Sequence, residues 1–171
     1  MKTIMLHDLL ISKMEYCYDA LSGNITDYEW AHNVIGALDG SGVCECYART
    51  YQLLMNYSGL ECLVGVGKSY TENENTATDP TDYDSSDHAW NVIKLDGKYY
   101  FTDATWDDHN DTHRFFAKSE ATFTSTLPAH GAYTPSGTGT QFLYGLPSIA
   151  TADYDLTNID DNIATYNYTI N

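Results

Sequence analysis

The sequence of 171 residues predicts one α+β domain, in which N-terminal helices pack on an antiparallel sheet. Two observations predict this class: apolar residues recur at helical spacing early in the chain, and strand-like runs follow them. The sequence contains no internal repeat and no βαβ alternation. A hydrophobic content of 43%, with 13% aromatic residues, is ample for one buried core.

Amphipathic helices are predicted in the N-terminal part of the chain. Apolar spacing over residues 6–14 predicts a first helix that ends near 22–23. A capping box of the form T-x-x-E at 26–29 is expected to begin a second helix, with an apolar face over 30–38. The glycine turn at 40–42 is expected to end it.

A third helix is predicted after this turn, because apolar side chains recur on one face: Tyr47, Ala48, Tyr51, Leu54 and Met55. Gly59 is expected to end it. Cys44 lies at its start, where unpaired backbone N–H groups and the helix dipole favour an anion. This setting stabilises a thiolate, which attacks acyl carbon, and the same N–H groups would hold an oxyanion. The alternative is that Cys44 is a buried cysteine with no catalytic role.

Strand-like runs make up the predicted sheet. Residues 60–66 predict a short strand, and 68–87 a polar surface loop. The aromatic-rich runs 88–95 and 98–106 are joined by Asp96-Gly97, which is a strong hairpin signal. We therefore expect a two-residue turn between two antiparallel strands.

This hairpin is expected to bring a histidine and a carboxylate together. Counting outward from the turn sets His88 opposite Thr105, so Asp103 lies diagonal to His88 on the same face, at about 7 Å between backbones. The Asp103 carboxylate would fix the orientation of the imidazole, which leaves the other ring nitrogen free to take a proton from a thiol. If each residue is considered alone, there is a structural alternative to a catalytic role. His88 would be an edge residue of a strand, and Asp103 would be a carboxylate that caps a turn.

Composition and charge exclude several partners. Eight Lys and Arg stand against 24 Asp and Glu, and the resulting formal charge of −16 would repel nucleic acid and anionic membranes alike. No apolar run approaches the roughly 20 residues of a membrane-spanning helix.

The opening of the sequence starts like a signal peptide, but His7 and Asp8 interrupt its apolar region. We therefore expect that the protein is either cytoplasmic or has lost its leader. The Tyr-, Thr- and Asn-rich composition favours an extracellular or cell-envelope protein of bacteria.

The four cysteines have neither the density of a disulfide scaffold nor the C-x-x-C spacing of a zinc site. Cys17 and Cys62 lie among apolar residues and are expected to be buried thiols. A disulfide between Cys17 and Cys62 is the alternative.

Three ordered motifs, 42–48 (GVCECYA), 88–91 (HAWN) and 103–107 (DATWD), resemble those of the transglutaminase-like superfamily. That superfamily is similar to papain-like thiol proteases in fold and chemistry. The resemblance implies a papain/transglutaminase-like core with Cys44 as nucleophile, His88 as base and Asp103 as orienting acid.

The resemblance covers roughly residues 7–120, which we predict as the catalytic core. Residues 121–171 are predicted as a C-terminal extension, with strands that pack on the same domain. Bacterial relatives usually carry glycine where this chain has Cys46. Two positions along a helix point this thiol away from Cys44, so packing is the favoured interpretation and a protective or redox role the alternative.

Several side chains accompany the three motifs. Trp90, Trp106 and Tyr47 are candidates for the wall of a substrate cleft, and core aromatic residues are the alternative. Asn91 falls on the opposite strand face from His88, which favours a structural role.

Two acidic clusters offer oxygen ligands of the kind that calcium prefers: Asp79, Asp82, Asp84 and Asp87, and Asp107, Asp108, Asn110 and Asp111. Neither matches an EF-hand loop, and a solvated acidic surface is the favoured interpretation. We expect no metal and no cofactor.

The predicted activity is acyl transfer on a peptide or protein, cell-wall peptides included, through a Cys44 thioester. Hydrolysis by a peptidase or amidase is favoured over crosslinking to an amine. A catalytically inactive binding or structural module is one alternative. A zinc site of Cys44, Cys46 and His88 is the other and ranks last, because a Cys-x-Cys pair at a helix start converges poorly on one metal.

Overall fold

The computed structural model describes residues 2–70, 88–108, 113–126, 129–135 and 147–157. The elements follow in chain order: α1 Lys2–Ile11, β1 Glu15–Tyr16, α2 Asp19–Ser22, a 3₁₀ turn Glu29–His32, α3 Val34–Asp39, β2 Ser41–Gly42, α4 Cys44–Tyr57, β3 Cys62–Tyr70, β4 His88–Leu95, β5 Lys98–Thr102, α5 Ala104–Asp108, α6 Glu120–Ser125 and β6 Ala129–Pro135. The larger sheet is antiparallel, in the order β5-β4-β3-β6. The predicted α+β class is confirmed.

The larger sheet is covered on both faces. On one face, α4 packs against β3 and β4, and its buried Tyr47, Tyr51 and Met55 join a core cluster with α1 and Ile93. On the other face, an aromatic cluster contains Trp90, Val92, Phe101, Phe115 and Phe123. Successive residues of β4 therefore serve opposite cores, as the two-residue period of a strand requires.

The β4–β5 hairpin has the predicted register. Leu95 pairs with Lys98, and both turn residues have positive φ, 49° at Asp96 and 80° at Gly97, as a type I′ turn requires. The second strand is shorter than predicted, because it ends at Thr102 and α5 follows at once. The Asp103 carboxylate causes this change by accepting hydrogen bonds from the first backbone N–H groups of α5.

The first two predicted helices are wrong in their extent. α1 ends at Ile11, because β1 then pairs in parallel with β2 beside the glycine turn. The second helix is divided into the 3₁₀ turn and α3, and Asn33 caps α3 by accepting from the backbone N–H of Ile35 at 2.9 Å. The expected T-x-x-E box does not form, since the Thr26 hydroxyl donates to Asn24 instead.

The third predicted helix is confirmed as α4, and Gly59 follows its end with a φ of 75°. β3 extends to residue 70, beyond the predicted end at 66, because β6 supplies partners for its second half. The rest of the predicted surface loop, 71–87, lies outside the described residues, as do the predicted strands in 163–170.

The segment after residue 120 contributes to the same sheet through β6. Residues 147–157 return to the sheet edge, where the backbone N–H of Ala150 donates to Tyr99 at 2.8 Å. The proposed division between residues 1–120 and 121–171 stays a prediction. In the described part of the chain, no helix combines the length and apolar character that crossing a bilayer requires.

Candidate active site

The three motif residues stand at the ends of their elements. Cys44 is the first residue of α4, after an extended Val43 whose backbone N–H donates to Ala31 at 2.9 Å. His88 is the first residue of β4, and Asp103 lies between β5 and α5. The helices and strands behind these ends hold the three side chains in place.

His88 joins the other two residues. Its Nε2 lies 2.6 Å from Asp103 Oδ2, and its side chain also interacts with that of Cys44. Burial opposes protonation of His88, yet the Asp103 carboxylate and the Cys44 side chain together outweigh it and raise the pKa of His88 to about 10. Cys44 is half-buried, whereas His88 is 7% exposed and Asp103 is fully enclosed. The structure therefore brings the three predicted residues together, with the thiol nearest to solvent.

Asp103 is a buried carboxylate whose oxygens are both occupied. Oδ1 accepts from the backbone N–H groups of Thr105 at 3.0 Å and Trp106 at 3.3 Å. Oδ2 faces two imidazoles, those of His88 at 2.6 Å and His130 at 2.9 Å. Burial alone would raise the pKa of Asp103, but these partners hold it well below its usual range. The Asp103 side chain therefore both accepts from the start of α5 and contacts His88.

His130 was missed from the sequence. It lies on β6, where it pairs with Ser69 of β3, in the segment that the family resemblance does not cover. A lone histidine in a Thr- and Gly-rich stretch has no neighbouring sequence pattern that would predict its place in the site. Counting outward from the Asp96-Gly97 turn predicts the position of Asp103. The same method cannot place His130, because β6 lies far along the chain from that turn.

The three aromatic candidates lie in different environments. Trp106 is half-buried and stacks on His88, with ring centroids 4.6 Å apart and planes at 16°. Trp90 is 1% exposed and lies in the aromatic core cluster. Tyr47 has no exposed surface, and its hydroxyl donates to Asp108. Of the three, Trp106 alone offers surface to a substrate in this conformation.

Tyr16 is a further neighbour of the nucleophile. Its hydroxyl faces the backbone N–H of Cys44, and its ring stacks on Tyr47 with centroids 6.4 Å apart. Burial raises the pKa of this phenol, which stays protonated. β1 places Tyr16 here through its pairing with Gly42, a contact that no local sequence pattern indicates.

The other three thiols differ in burial. Cys62 is buried as predicted, whereas Cys17 is only half-buried, which contradicts the prediction for that residue. Cys46 is fully buried and fills the space beside Gly42, where an added Cβ would lie 2.5 Å from the Cys46 Cβ. Burial raises the pKa of Cys46. All four cysteines are free thiols, so the alternative disulfide between Cys17 and Cys62 is not formed. Asn91 is structural, since its amide donates to the carbonyls of Ala48 and Leu63.

Two groups of ligand-type side chains occur among the described residues: His88, Asp103 and His130, and His7, Asp8 and His113. Neither contains a thiol, which leaves the alternative zinc site of Cys44, Cys46 and His88 without support. Residues 79–87 and 109–112 of the two acidic clusters lie outside the described residues. Asp107 and Asp108 of the second cluster have protein partners, the backbone N–H of Phe115 and the hydroxyl of Tyr47.

Comparison with known proteins gives likenesses in sequence and in fold. Over 63 residues, 37% of the chain, the sequence is 29% identical to kyphoscoliosis peptidase of Homo sapiens and of Mus musculus. The matched stretch spans 9% of each peptidase. The solved structure of a TGase covers 74% of the chain, with 20% sequence identity and a TM-score of 0.49. The solved structure of a candidate cysteine protease from Cytophaga hutchinsonii covers 61% of the chain, with 19% sequence identity and a TM-score of 0.41.

The resemblance to the transglutaminase-like superfamily is carried by the three motifs and by the partial sequence match to kyphoscoliosis peptidase. The chain spans 31% of the TGase and 30% of the candidate protease, so what those larger proteins do is taken to this chain only as a proposal. No protein-family model matches the sequence.

Proposed function

We propose that this chain catalyses thiol-dependent acyl transfer on peptide or amide bonds, with hydrolysis as the favoured outcome. The observation that carries the proposal is the double engagement of His88, which bonds Asp103 through Nε2 and interacts with the Cys44 side chain. Since Nε2 is committed to Asp103, Nδ1 is the ring nitrogen left to exchange a proton with the thiol.

The reaction follows from this arrangement. The Cys44 thiol gives its proton to His88, and the imidazolium beside the sulfur stabilises the thiolate. The sulfur attacks the amide carbonyl, a C–S bond forms, and the negative charge passes to the carbonyl oxygen at the start of α4. As the C–N bond breaks, His88 donates its proton to the leaving amine, and a thioester remains on Cys44.

The second half returns the enzyme to its first state. Water gives a proton to His88 and attacks the thioester, the C–S bond breaks, a carboxylic acid leaves, and His88 returns the proton to the Cys44 sulfur. A primary amine in place of water would give an amide and make the enzyme a crosslinker. Trp106 stacks over His88 and supports the proposal by shielding the imidazole from solvent on one side.

The substrate proposed is a peptide or protein, including cell-wall peptides. The formal charge of −16 favours chains that carry lysine, because opposite charge speeds encounter and disfavours acidic partners.

The test is capture of the acyl-enzyme. The protein is mixed with p-nitrophenyl acetate, a reactive acyl donor, and the adduct is located by peptide mass spectrometry. We expect a hydroxylamine-sensitive acetyl group on Cys44 that is lost in Cys44→Ala and kept in Cys46→Ala. A fluorescent primary amine added with a peptide donor then separates hydrolysis from crosslinking. Absence of any Cys44 adduct would favour the inactive binding module.

A further inference from the structure

We propose that His130 is a positioning residue of this site, which shares the Asp103 oxygen with His88 and thereby limits the hold of the carboxylate on the His88 proton. The inference rests on the proposed function, because a proton must leave His88 during the reaction. It assigns a role to the segment after residue 120, which the three motifs leave without one.

The placement of His130 is well determined by the fold. β6 carries it against β3, where the register shifts between Gly67 and Ser69, an irregularity of the kind that re-aims a side chain. The imidazole is 2% exposed and stacks on Phe123, with centroids 3.5 Å apart and planes at 14°. Trp106 covers it from another side at 4.1 Å. Packing on two sides leaves the ring little freedom to turn from Asp103.

The protonation state of His130 follows from its partners. Nε2 lies 2.9 Å from Asp103 Oδ2, and Nδ1 lies 3.3 Å from the Phe123 carbonyl, so both nitrogens face acceptors. Burial, helped by the nearby His88, lowers the pKa of His130 to about 4 even though Asp103 favours the charged form. A neutral ring carries one N–H, and the shorter contact takes it. His130 therefore donates to Asp103 without adding a second positive charge.

Sharing one oxygen has a consequence for His88. A carboxylate that accepts a second hydrogen bond is a weaker partner for the first donor, because its charge is already partly stabilised. Without His130, Asp103 would hold the His88 imidazolium more tightly and raise its pKa further from neutral pH. General acids work best when their pKa lies near the working pH, so the second donor moves His88 in the useful direction.

The test is the titration of His88 followed by NMR of histidine-labelled protein, in a Cys44→Ala background that removes the thiol. His130→Phe keeps an aromatic ring against Phe123 and removes the donor. We expect the midpoint of His88 to rise by about one pH unit, as the loss of one hydrogen bond to the carboxylate implies. His130→Gln restores an N–H donor and is expected to return the midpoint toward that of the parent.

A matched control separates positioning from packing. Phe123→Leu disturbs the same stack but leaves the His130 donor, so it is expected to lower stability without moving the His88 midpoint. An unchanged or lowered midpoint in His130→Phe, or an equal rise in Phe123→Leu, would overturn the inference.

The parent protein gives an independent check if His130→Phe does not fold. Its ¹⁵N shifts are expected to show a neutral His130 with the proton on Nε2 at pH 7, and a proton on Nδ1 or a charged ring would contradict the inference. Because these measurements do not use Cys44, they remain decisive even if the acyl-enzyme test fails. A shifted His88 midpoint together with an unreactive Cys44 would retain the role of His130 and remove the proposed function.

Discussion

Replacing Asp103 by asparagine tests the electrostatic basis of the site, because the substitution keeps the shape of the side chain and removes its charge. Asp103 is fully buried and holds His88 at 2.6 Å. The pKa of His88 is about 10 against an ordinary value of 6.5, and this difference corresponds to roughly 5 kcal/mol of preference for the imidazolium. Without the carboxylate, burial opposes only the smaller influence of the Cys44 side chain, so the pKa of His88 should fall.

Two effects are expected in Asp103→Asn. The His88 titration should move from near pH 10 to a markedly lower pH, as measured by histidine NMR. Alkylation of Cys44 by iodoacetamide at pH 7 should fall about tenfold or more, since an unassisted thiol is only a few per cent thiolate. Loss of charge-assisted bonds should also reduce the free energy of unfolding by roughly 2–4 kcal/mol, as measured in urea.

Asp107→Asn is the matched control for this experiment. Asp107 is equally buried, lies on α5, accepts from the backbone N–H of Phe115 at 2.8 Å, and stands 3.2 Å from His7 rather than beside His88. It should destabilise the fold but leave the His88 titration and Cys44 alkylation unchanged. A His88 midpoint that stays near 10 in Asp103→Asn, or equal slowing of alkylation in both variants, would contradict this role of the Asp103 charge.

Three further outcomes are expected. Gly42→Ala should cost about 1–3 kcal/mol in urea unfolding, because the new Cβ would lie 2.5 Å from the Cys46 Cβ, and adding Cys46→Gly should recover part of the loss. Asn91→Ala should cost about 1–3 kcal/mol by leaving two carbonyls without their donor, while the alkylation profile of the active-site thiol stays unchanged. The raised pKa of His88 means that its pairing with Asp103 stabilises the fold fully below pH 6.5 and ceases to do so near pH 10. The stability difference between the parent and His88→Gln should therefore shrink as the pH rises across that range, and a constant difference would contradict the pairing.

The parts of the site that could be predicted are those encoded by short-range signals. Asp96-Gly97 determines both the turn and the register, and the register alone places Asp103 near His88. The glycine turn and the apolar face of α4 likewise place Cys44 at a helix start. In each case the physical cause lies within a few residues of its effect.

The parts that could not be predicted depend on contacts between distant segments. α1 ends early because β1 pairs with β2, and β3 is long because β6 supplies its edge partner. His130 reaches Asp103 through that same pairing, so neither its position nor its neutral state can be read from its neighbours in sequence. Asp103 is difficult to predict for a different reason. Its side chain both caps α5 and bonds two imidazoles, whereas the sequence suggests capping and histidine binding only as alternatives.

The central claim is that His88 activates Cys44, and the most direct test is the rate of iodoacetamide labelling from pH 5 to 9, mapped by peptide in the parent protein and in His88→Ala. Cys17 is a free, half-buried thiol like Cys44 and serves as the internal reference. We predict fast labelling of Cys44 at neutral pH that is lost in His88→Ala, with Cys17 unchanged. Labelling of Cys44 no faster than that of Cys17, and the same in both proteins, would contradict the claim and favour a binding module.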